Sequence, residues 1–339
     1  MKQISVIILN WNGEALLKEF LPSVIAHTPE NMADIIVVDN GSTDNSVTML
    51  KEKFPSLRLI VFDKNYGFAE GYNRAISQIE TPYTVLLNND VEVTAGWMEA
   101  PVRALEADER LAGVQPKILD HKDNNKFEYA GAAGGWIDRY GYPFCRGRVL
   151  HMVEDDHGQY DNPSTIFWAS GACFFIRTDV FKKEGGFDAR FFAHQEEIDL
   201  CWRLLSRGYR LECVPQSVVY HVGGGTLKVE SPQKTFLNFR NNLLMVYKNI
   251  PAERLKPVMR LRFWFDYLAM AKLLLTGHFG NALAIIQARL AYKKLKTLYA
   301  PIRVANLSRT VVSSIPEISP KSLILNFYFK GKKKFSEYC

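Results

Sequence analysis

Residues 36–44 read I-V-V-D-N-G-S-T-D. The β-branched run suits a buried, pleated strand, whereas Asp, Asn, Gly and Ser suit a turn and a helix cap, so the stretch predicts a strand ending at Asp39 followed by a helix start. The same grammar recurs on both sides. Apolar runs at residues 4–9, 35–38, 57–62 and 83–87 predict short buried strands, and residues 14–27, 44–54, 68–79 and 95–108 predict helices between them. This βαβα order gives a mostly parallel, Rossmann-like sheet with helices on both faces. Ligands of open parallel sheets bind beyond the carboxyl ends of the strands, where this chain carries Asn10, Asp39, Asp63 and Asp90.

Farther along, residues 111–221 lose the regular alternation. Strands at 167–176 and 210–214 and one helix at 196–206 predict an α+β region packed on the first sheet. Beyond Pro232 the chain turns helical, basic and aromatic, and Lys330, Lys332, Lys333 and Lys334 predict a disordered end. The overall charge of +6 hides an asymmetry: residues 231–339 hold 19 Lys and Arg against 4 Asp and Glu, a net +15, and residues 1–230 hold 23 against 32, a net −9. The acidic part repels nucleic acid, and the basic part suits either solvent or an anionic lipid surface. The five cysteines form no C-x-x-C pair, no signal peptide opens the sequence, and the apolar stretch at 261–275 is broken by Arg262, Asp266 and Lys272. These features predict a reducing, cytoplasmic setting without structural zinc or a transmembrane helix.

Several residues have both a structural and a chemical reading. Asp39 either closes a turn or accepts hydrogen bonds from a nucleoside. Asp90, after Asn88 and Asn89, is either a solvated strand-end residue or an oxygen ligand of Mg²⁺ or Mn²⁺, with Glu92 as a possible second ligand. Glu196, Glu197 and Asp199 open one helix. The helix dipole and an i,i+4 pair with Arg203 account for one or two of these acids, which leaves one as a candidate general base. His221, before Gly223, Gly224 and Gly225, is a satisfied polar residue or a metal ligand. A G-x-G-x-x-G after the first strand and a G-x-x-x-x-G-K-S/T are both missing, which disfavours dinucleotide oxidoreductases and P-loop enzymes.

An ordered series of motifs spans residues 3–250: V-I-I-L-N-W-N-G (6–13), I-V-V-D-N-G-S-T-D (36–44), N-Y-G-F-A-E-G-Y-N (65–73), L-L-N-N-D (86–90), A-S-G-A-C-F-F-I (169–176), G-G-F-D-A-R-F-F (185–192), E-E-I-D-L-C-W-R (196–203) and H-V-G-G-G (221–225). The series resembles family-2 glycosyltransferases of the GT-A fold, particularly the bacterial rhamnosyltransferase-like branch that builds surface polysaccharides. The resemblance implies inverting transfer from a nucleoside-diphosphate sugar, dTDP-rhamnose or a UDP-sugar, to a glycan or polyprenyl-linked glycan at the inner face of the plasma membrane. It implies that Asn10, Asp39, Asn65, Gly67, Gly71, Arg74, Asn89 and Asp90 line the donor site and that Asp90 and His221 serve Mg²⁺ or Mn²⁺. Glu197, or its neighbour Glu196, becomes the base, and Trp168, Gly171 and Asp199 are expected to meet the acceptor. Residues 1–230 then form the catalytic domain, with a nucleotide-sugar half at 1–110 and an acceptor and base half at 111–230, and residues 231–339 form a basic helical extension. The chain departs from the family pattern in two places. The D-x-D is reduced to Asn88-Asn89-Asp90, which weakens metal binding, and Glu197 stands where an aspartate is usual. A sugar nucleotidyltransferase and a silent membrane-bound scaffold are the competing functions; the first lacks its basic N-terminal glycine loop, and the second is at odds with the retained carboxylates.

Overall fold

The computed structural model describes residues 2–223 and 231–338. The first half alternates as expected: β1 (Ile4–Asn10), α1 (Glu14–His27), β2 (Ala33–Asp39), α2 (Ser46–Lys53), β3 (Arg58–Val61), α3 (Gly67–Ile76), β4 (Tyr83–Asn88), β5 (Val91–Val93) and α4 (Glu99–Ala107). There follow β6 (Leu111–Asp120), β7 (Gly135–Asp138), β8 (Pro143–Cys145), β9 (Arg148–Val149), β10 (Met152–Val153), β11 (Ser164–Thr165), β12 (Cys173–Arg177), α5 (Thr178–Lys183), α6 (Glu196–Ser206) and β13 (Arg210–His221). The last third contains α7 (Pro232–Asn249), α8 (Ala252–Leu275), α9 (Phe279–Ser308), β14 (Ile318–Ser319) and α10 (Leu323–Lys330).

Among the described residues the large sheet runs β3-β2-β1-β4-β12-β6-β13-β11, with β5 added on β13. β3, β2, β1 and β4 are parallel, β12 runs antiparallel between β4 and β6, and β6 and β13 are again parallel. Six of seven residues of β1 are buried, because helices cover both faces and every side chain meets a core. The register sets Asn10 beside Asp39 and Leu9 beside Asn88, so these strands end at one level. Beyond that edge lies the candidate site.

Three expectations need correction. The strand placed at 167–176 begins only at Cys173, and the one placed at 210–214 continues to His221 through an irregularity between Val214 and Val218. The long β6 lies where only loosened structure was expected. The lysine-rich end is not a free tail: β14 pairs in parallel with β7 to complete a second sheet, β10-β9-β8-β7-β14. Leu323 N donates to Asp138 at 2.8 Å, and Tyr338 and Phe335 are buried against Phe144. Lys333 and Lys334 give their backbone amides to Glu337, which folds the basic run into a turn. The periodic hydrophobic signal missed this closure because a two-residue strand has no period.

Candidate active site

The donor side is a knot of asparagines at the strand ends. Asn10 donates to Asp39 Oδ2 at 3.2 Å and accepts from Asn89 Nδ2 at 2.8 Å. Asp39 Oδ1 accepts from the backbone of Ser42 at 2.9 Å, closing the D-N-G-S turn. A Cβ on Gly13 would lie 2.3 Å from both Asn10 Oδ1 and Asn89 Nδ2, so the glycine of N-W-N-G is what lets the pair close. Asn40, which sequence reasoning passed over, donates to Asn65 Oδ1 at 3.1 Å and to the Gly67 carbonyl at 3.0 Å, and accepts from Tyr66 N at 3.0 Å. It thereby locks the loop after β2 to the loop before α3. Gly67 has φ +79, and a Cβ there would strike Phe192, so the N-Y-G turn and the segment before α6 touch directly. Gly71 lets α3 approach Leu9.

Asp90 and His221 meet because β5 pairs with the end of β13, His221 opposite Val91. His221 Nε2 stands 3.0 Å from Asp90 Oδ1 and 3.4 Å from Asn88 Nδ2, and its Nδ1 stands 3.3 Å from Glu128 Oε1. Burial alone would lower the imidazole pKa, but Glu128 and Asp90 overcome it and hold the ring up to about 10. Glu128 is an addition to the expected site. It follows β6 in a loop without a motif, and only the fold brings it to the ring.

The two glutamates open α6. Glu196 is buried and Glu197 half-buried, and in each the Oε2 has no hydrogen-bond partner. Burial raises both carboxyls above the ordinary glutamate range, most strongly at Glu196, where Glu197 adds repulsion. The buried Cys145 thiol accepts a hydrogen bond from Arg148 at 3.2 Å, and the loop that leads into α6 meets the N-Y-G turn through Phe192 at Gly67. The loop before α6 is strained, with positive φ at Phe192, His194 and Gln195. α7 restrains it: Asn241 Nδ2 reaches the carbonyls of Phe191, Ala193 and His194 at 2.8–2.9 Å, and Asn242 Nδ2 reaches Gln195 Oε1 at 2.8 Å.

Other expected residues lie elsewhere. Asp199 is fully buried and committed to Arg203 at 3.0 Å, Lys248 at 2.6 Å and Asn249 at 2.9 Å, which leaves it no acceptor role. Trp168 is buried beneath Gly135, its indole N–H donated to the Trp136 carbonyl at 2.9 Å, and is likewise a core residue. Gly171 is packed beneath the Phe68 ring. Arg74 starts about two helical turns into α3, and its guanidinium reaches back to stack 3.9 Å over Tyr66 of the N-Y-G turn while pairing with Glu70. Glu92 pairs with His121 at 3.0 Å and does not join Asp90. Gly224 and Gly225 lie outside the described residues.

The model of glycosyl transferase family 2 matches residues 5–185. The chain belongs to this family. Its GT-A fold is shared with a GDP-Man- and Mn²⁺-bound mannosyltransferase of Pyrobaculum calidifontis, with a TM-score of 0.52 and 15% identity over 91% of this chain and 86% of that one. The structure of GalNAc-T7 with UDP, GalNAc and Mn²⁺ superposes with a TM-score of 0.57 and 17% identity, covering 73% of this chain and 48% of that one. Among curated relatives, the N-acetylglucosaminyl-diphospho-decaprenol L-rhamnosyltransferase of Mycobacterium tuberculosis is 26% identical over 234 residues, 64% of this chain and 75% of its own length. The family-2 enzyme described here is thus a glycosyltransferase whose strand-end polar cluster occupies the edge where open α/β sheets bind ligands.

Proposed function

We propose that this glycosyltransferase moves a sugar from a nucleoside-diphosphate donor, dTDP-rhamnose or a UDP-sugar, to a hydroxyl of a glycan or polyprenyl-linked glycan in surface polysaccharide or glycolipid synthesis. The observation that carries the proposal is that Asp90, His221 and Glu128 adjoin the Asn10–Asp39–Asn89 knot at the strand ends, while the turn at Gly67, tied to that edge by Asn40, meets the loop that leads into the Glu196–Glu197 helix. The rhamnosyltransferase relative, whose name specifies a diphospho-decaprenol acceptor, supports a lipid-linked substrate.

The donor set fits Mg²⁺ or Mn²⁺. Asp90 Oδ1 and His221 Nε2 are 3.0 Å apart, a spacing that neighbouring ligands about 2.1 Å from one octahedral cation adopt. Among the described residues no three His, Cys, Asp or Glu side chains enclose an ion, so Asp90 and His221 would share it with donor phosphate and water. Glu128, on the far ring nitrogen, would fix the ring orientation, and Nε2 would exchange the proton that it otherwise shares with Asp90 for a bound cation. When bound, the cation neutralises negative charge on the departing diphosphate.

The protein's own groups supply the rest of the single displacement. Asn10, Asp39 and Asn89 hold the nucleoside end, and the turn of Asn65 and Gly67 closes beside it. The acceptor oxygen bonds to the anomeric carbon as the bond to diphosphate oxygen breaks; the electron pair leaves with the diphosphate, and the hydroxyl proton passes to Glu197, inverting the anomeric centre. Burial makes Glu197 basic enough to take that proton while Glu196 beside it remains protonated. A panel of nucleotide sugars, assayed for nucleoside diphosphate release with Mg²⁺, Mn²⁺ or EDTA, tests the proposal, with product anomeric configuration read by NMR. Release of pyrophosphate would favour the nucleotidyltransferase alternative, and no turnover of any donor would favour the scaffold.

A further inference from the structure

The C-terminal helices carry large apolar side chains on their outer side as well as in the core. On α8, Trp264, Leu268 and Leu275 recur at helical spacing on the exposed side, and Leu275 is 89% exposed. On α9, Phe279, Leu283, Ile286 and Leu290 form a second exposed stripe. α10 adds Leu325, Tyr328 and Phe329, and Lys272 of α8 lies 5.4 Å from the Tyr328 ring, so α10 adjoins α8, which packs on α9. The covered side of the same pair sets ions among apolar residues such as Val258, Phe265, Ala282, Ile285 and Ala288. Asp266 is buried with Arg262 and bonded to Arg289, and Arg262 donates to the Tyr140 carbonyl at 3.0 Å and stacks 4.0 Å over Tyr142. A water-facing helix pair keeps its apolar side chains on the covered side; this pair carries large apolar side chains on both sides, interleaved with exposed lysines on the outer one.

Charge identifies what covers the apolar face. Lys272, Lys293, Lys294 and Lys330 are exposed on these helices, within a segment of net charge +15. A second copy of the chain would bring the same surplus against it, whereas anionic phospholipid complements it. Among the described residues no helix is long and apolar enough to cross a membrane. Exposed apolar stripes bordered by lysines fit a helix pair lying in the plane of the interface.

We propose that the outer face of α8, α9 and α10 is a monotopic docking surface that inserts Trp264, Leu268, Leu275, Phe279 and Phe329 at the headgroup–acyl boundary of an anionic leaflet while the neighbouring lysines bind phosphate groups. The attachment is mechanically tied to catalysis. Asn306 of α9 donates to the Lys248 carbonyl and to Asn249 Oδ1, both at 3.0 Å, and Arg303 bonds the Tyr247 carbonyl, so α9 is fixed to the helix whose Asn241 holds the loop before the glutamates. A docked hairpin therefore sets the orientation of the base-bearing loop toward the lipid. This deepens the lipid-surface part of the proposed function and can fail independently of sugar transfer.

The test uses the full-length protein in sedimentation with vesicles of phosphatidylcholine alone or mixed with phosphatidylglycerol, at low and raised salt. Wild type is expected to pellet with the mixed vesicles, less so as salt rises. The exposed double substitution Leu275→Glu/Phe279→Glu should weaken that binding roughly tenfold or more, and Lys293→Glu/Lys294→Glu should weaken it and flatten its salt dependence. Brominated acyl chains should quench wild-type fluorescence more than that of Trp264→Phe, a check that needs no charge-introducing variant. Wild type left in the supernatant, wild-type affinity in the Leu275/Phe279 variant, or quenching unchanged in Trp264→Phe would each overturn insertion. So would a wild-type dimer that the same substitution dissociates, since a second copy would then be the occupant. Transfer from the nucleotide-sugar panel to detergent-solubilised polyprenyl-linked and water-soluble glycans, followed in parallel without vesicles, separates the two proposals: its absence from wild type with every pair defeats the proposed reaction whatever the vesicles show, and its retention in a variant that no longer binds vesicles leaves that reaction standing.

Discussion

The donor edge and the base loop are held in opposite ways. At the donor edge, Asn10, Asp39, Asn40, Asn65 and Asn89 satisfy one another within the first 90 residues, each at the end of a strand or in the turn that follows it. The base loop bends through three non-glycine residues at positive φ and depends on Asn241 and Asn242, nearly 50 positions downstream. A local knot forms with the strands that present it, whereas a strained loop persists only when other structure over-determines it. The base half therefore needs the C-terminal helices as part of the site.

Substitutions can break this contrast, from the largest expected effect downward. Asp90→Ala at the donor edge should remove metal-stimulated turnover, a loss of roughly 10²–10³-fold, the scale of lost charge stabilisation at a leaving oxygen. The thermal midpoint should fall as well, because Asp90 is a buried partner of His221; near-normal metal-stimulated transfer by the folded variant would refute the cation role. Glu197→Gln should lower kcat by about 10²-fold or more with donor affinity retained. The wild-type rate should fall as pH drops through the raised carboxyl pKa, because the base is then protonated. A larger loss in Glu196→Gln would transfer the role to that residue.

Asn241→Ala tests the clamp. It leaves the carbonyls of Phe191, Ala193 and His194 without their amide donor and should cost about 1–3 kcal/mol of stability. It should lower kcat more than it changes the donor KM, and equal changes in both would mean that the loop does not respond to its brace. The smallest effect concerns Glu196, whose pKa in the fold lies above the ordinary 4.5. The unfolded chain releases that proton first, so the stabilising contribution of the neutral form is complete below the ordinary range and is lost as pH rises toward the folded pKa. Glu196→Gln, neutral throughout, should flatten the fall in melting temperature across that window; an unchanged slope would show that the carboxyl is not desolvated.

The same contrast explains what was legible in the sequence. Strand-end residues announce themselves, because an apolar run stopping at Asn or Asp names both the strand and the position beyond it; Asn10, Asp39 and Asp90 were found in this way. The pairing of β5 with β13 that joins Asp90 to His221 depends on topology, and Glu128 sits in a loop whose neighbours have no period. Asp199 shows the converse. Three acids at one helix start suggested excess chemistry, yet Asp199 is neutralised by Arg203 and by Lys248 from α7, a partner that sequence spacing could not assign. Trp168 misled for a similar reason, since an aromatic beside a motif and an aromatic filling the space over a glycine are identical in sequence.

The pairing of β14 with β7 has a consequence for biosynthesis. During vectorial synthesis β7 leaves the ribosome about 180 residues before its partner, so the small sheet waits with an open edge and Asp138 waits for the Leu323 amide. A stalled nascent chain ending before residue 318 would present that edge to chaperones or to other chains. Protease resistance of the β7–β10 region should therefore appear only in ribosome-bound chains long enough to release Tyr338, which makes emergence of β14 and the residues after it, rather than formation of the first parallel strands, the event that closes the small sheet.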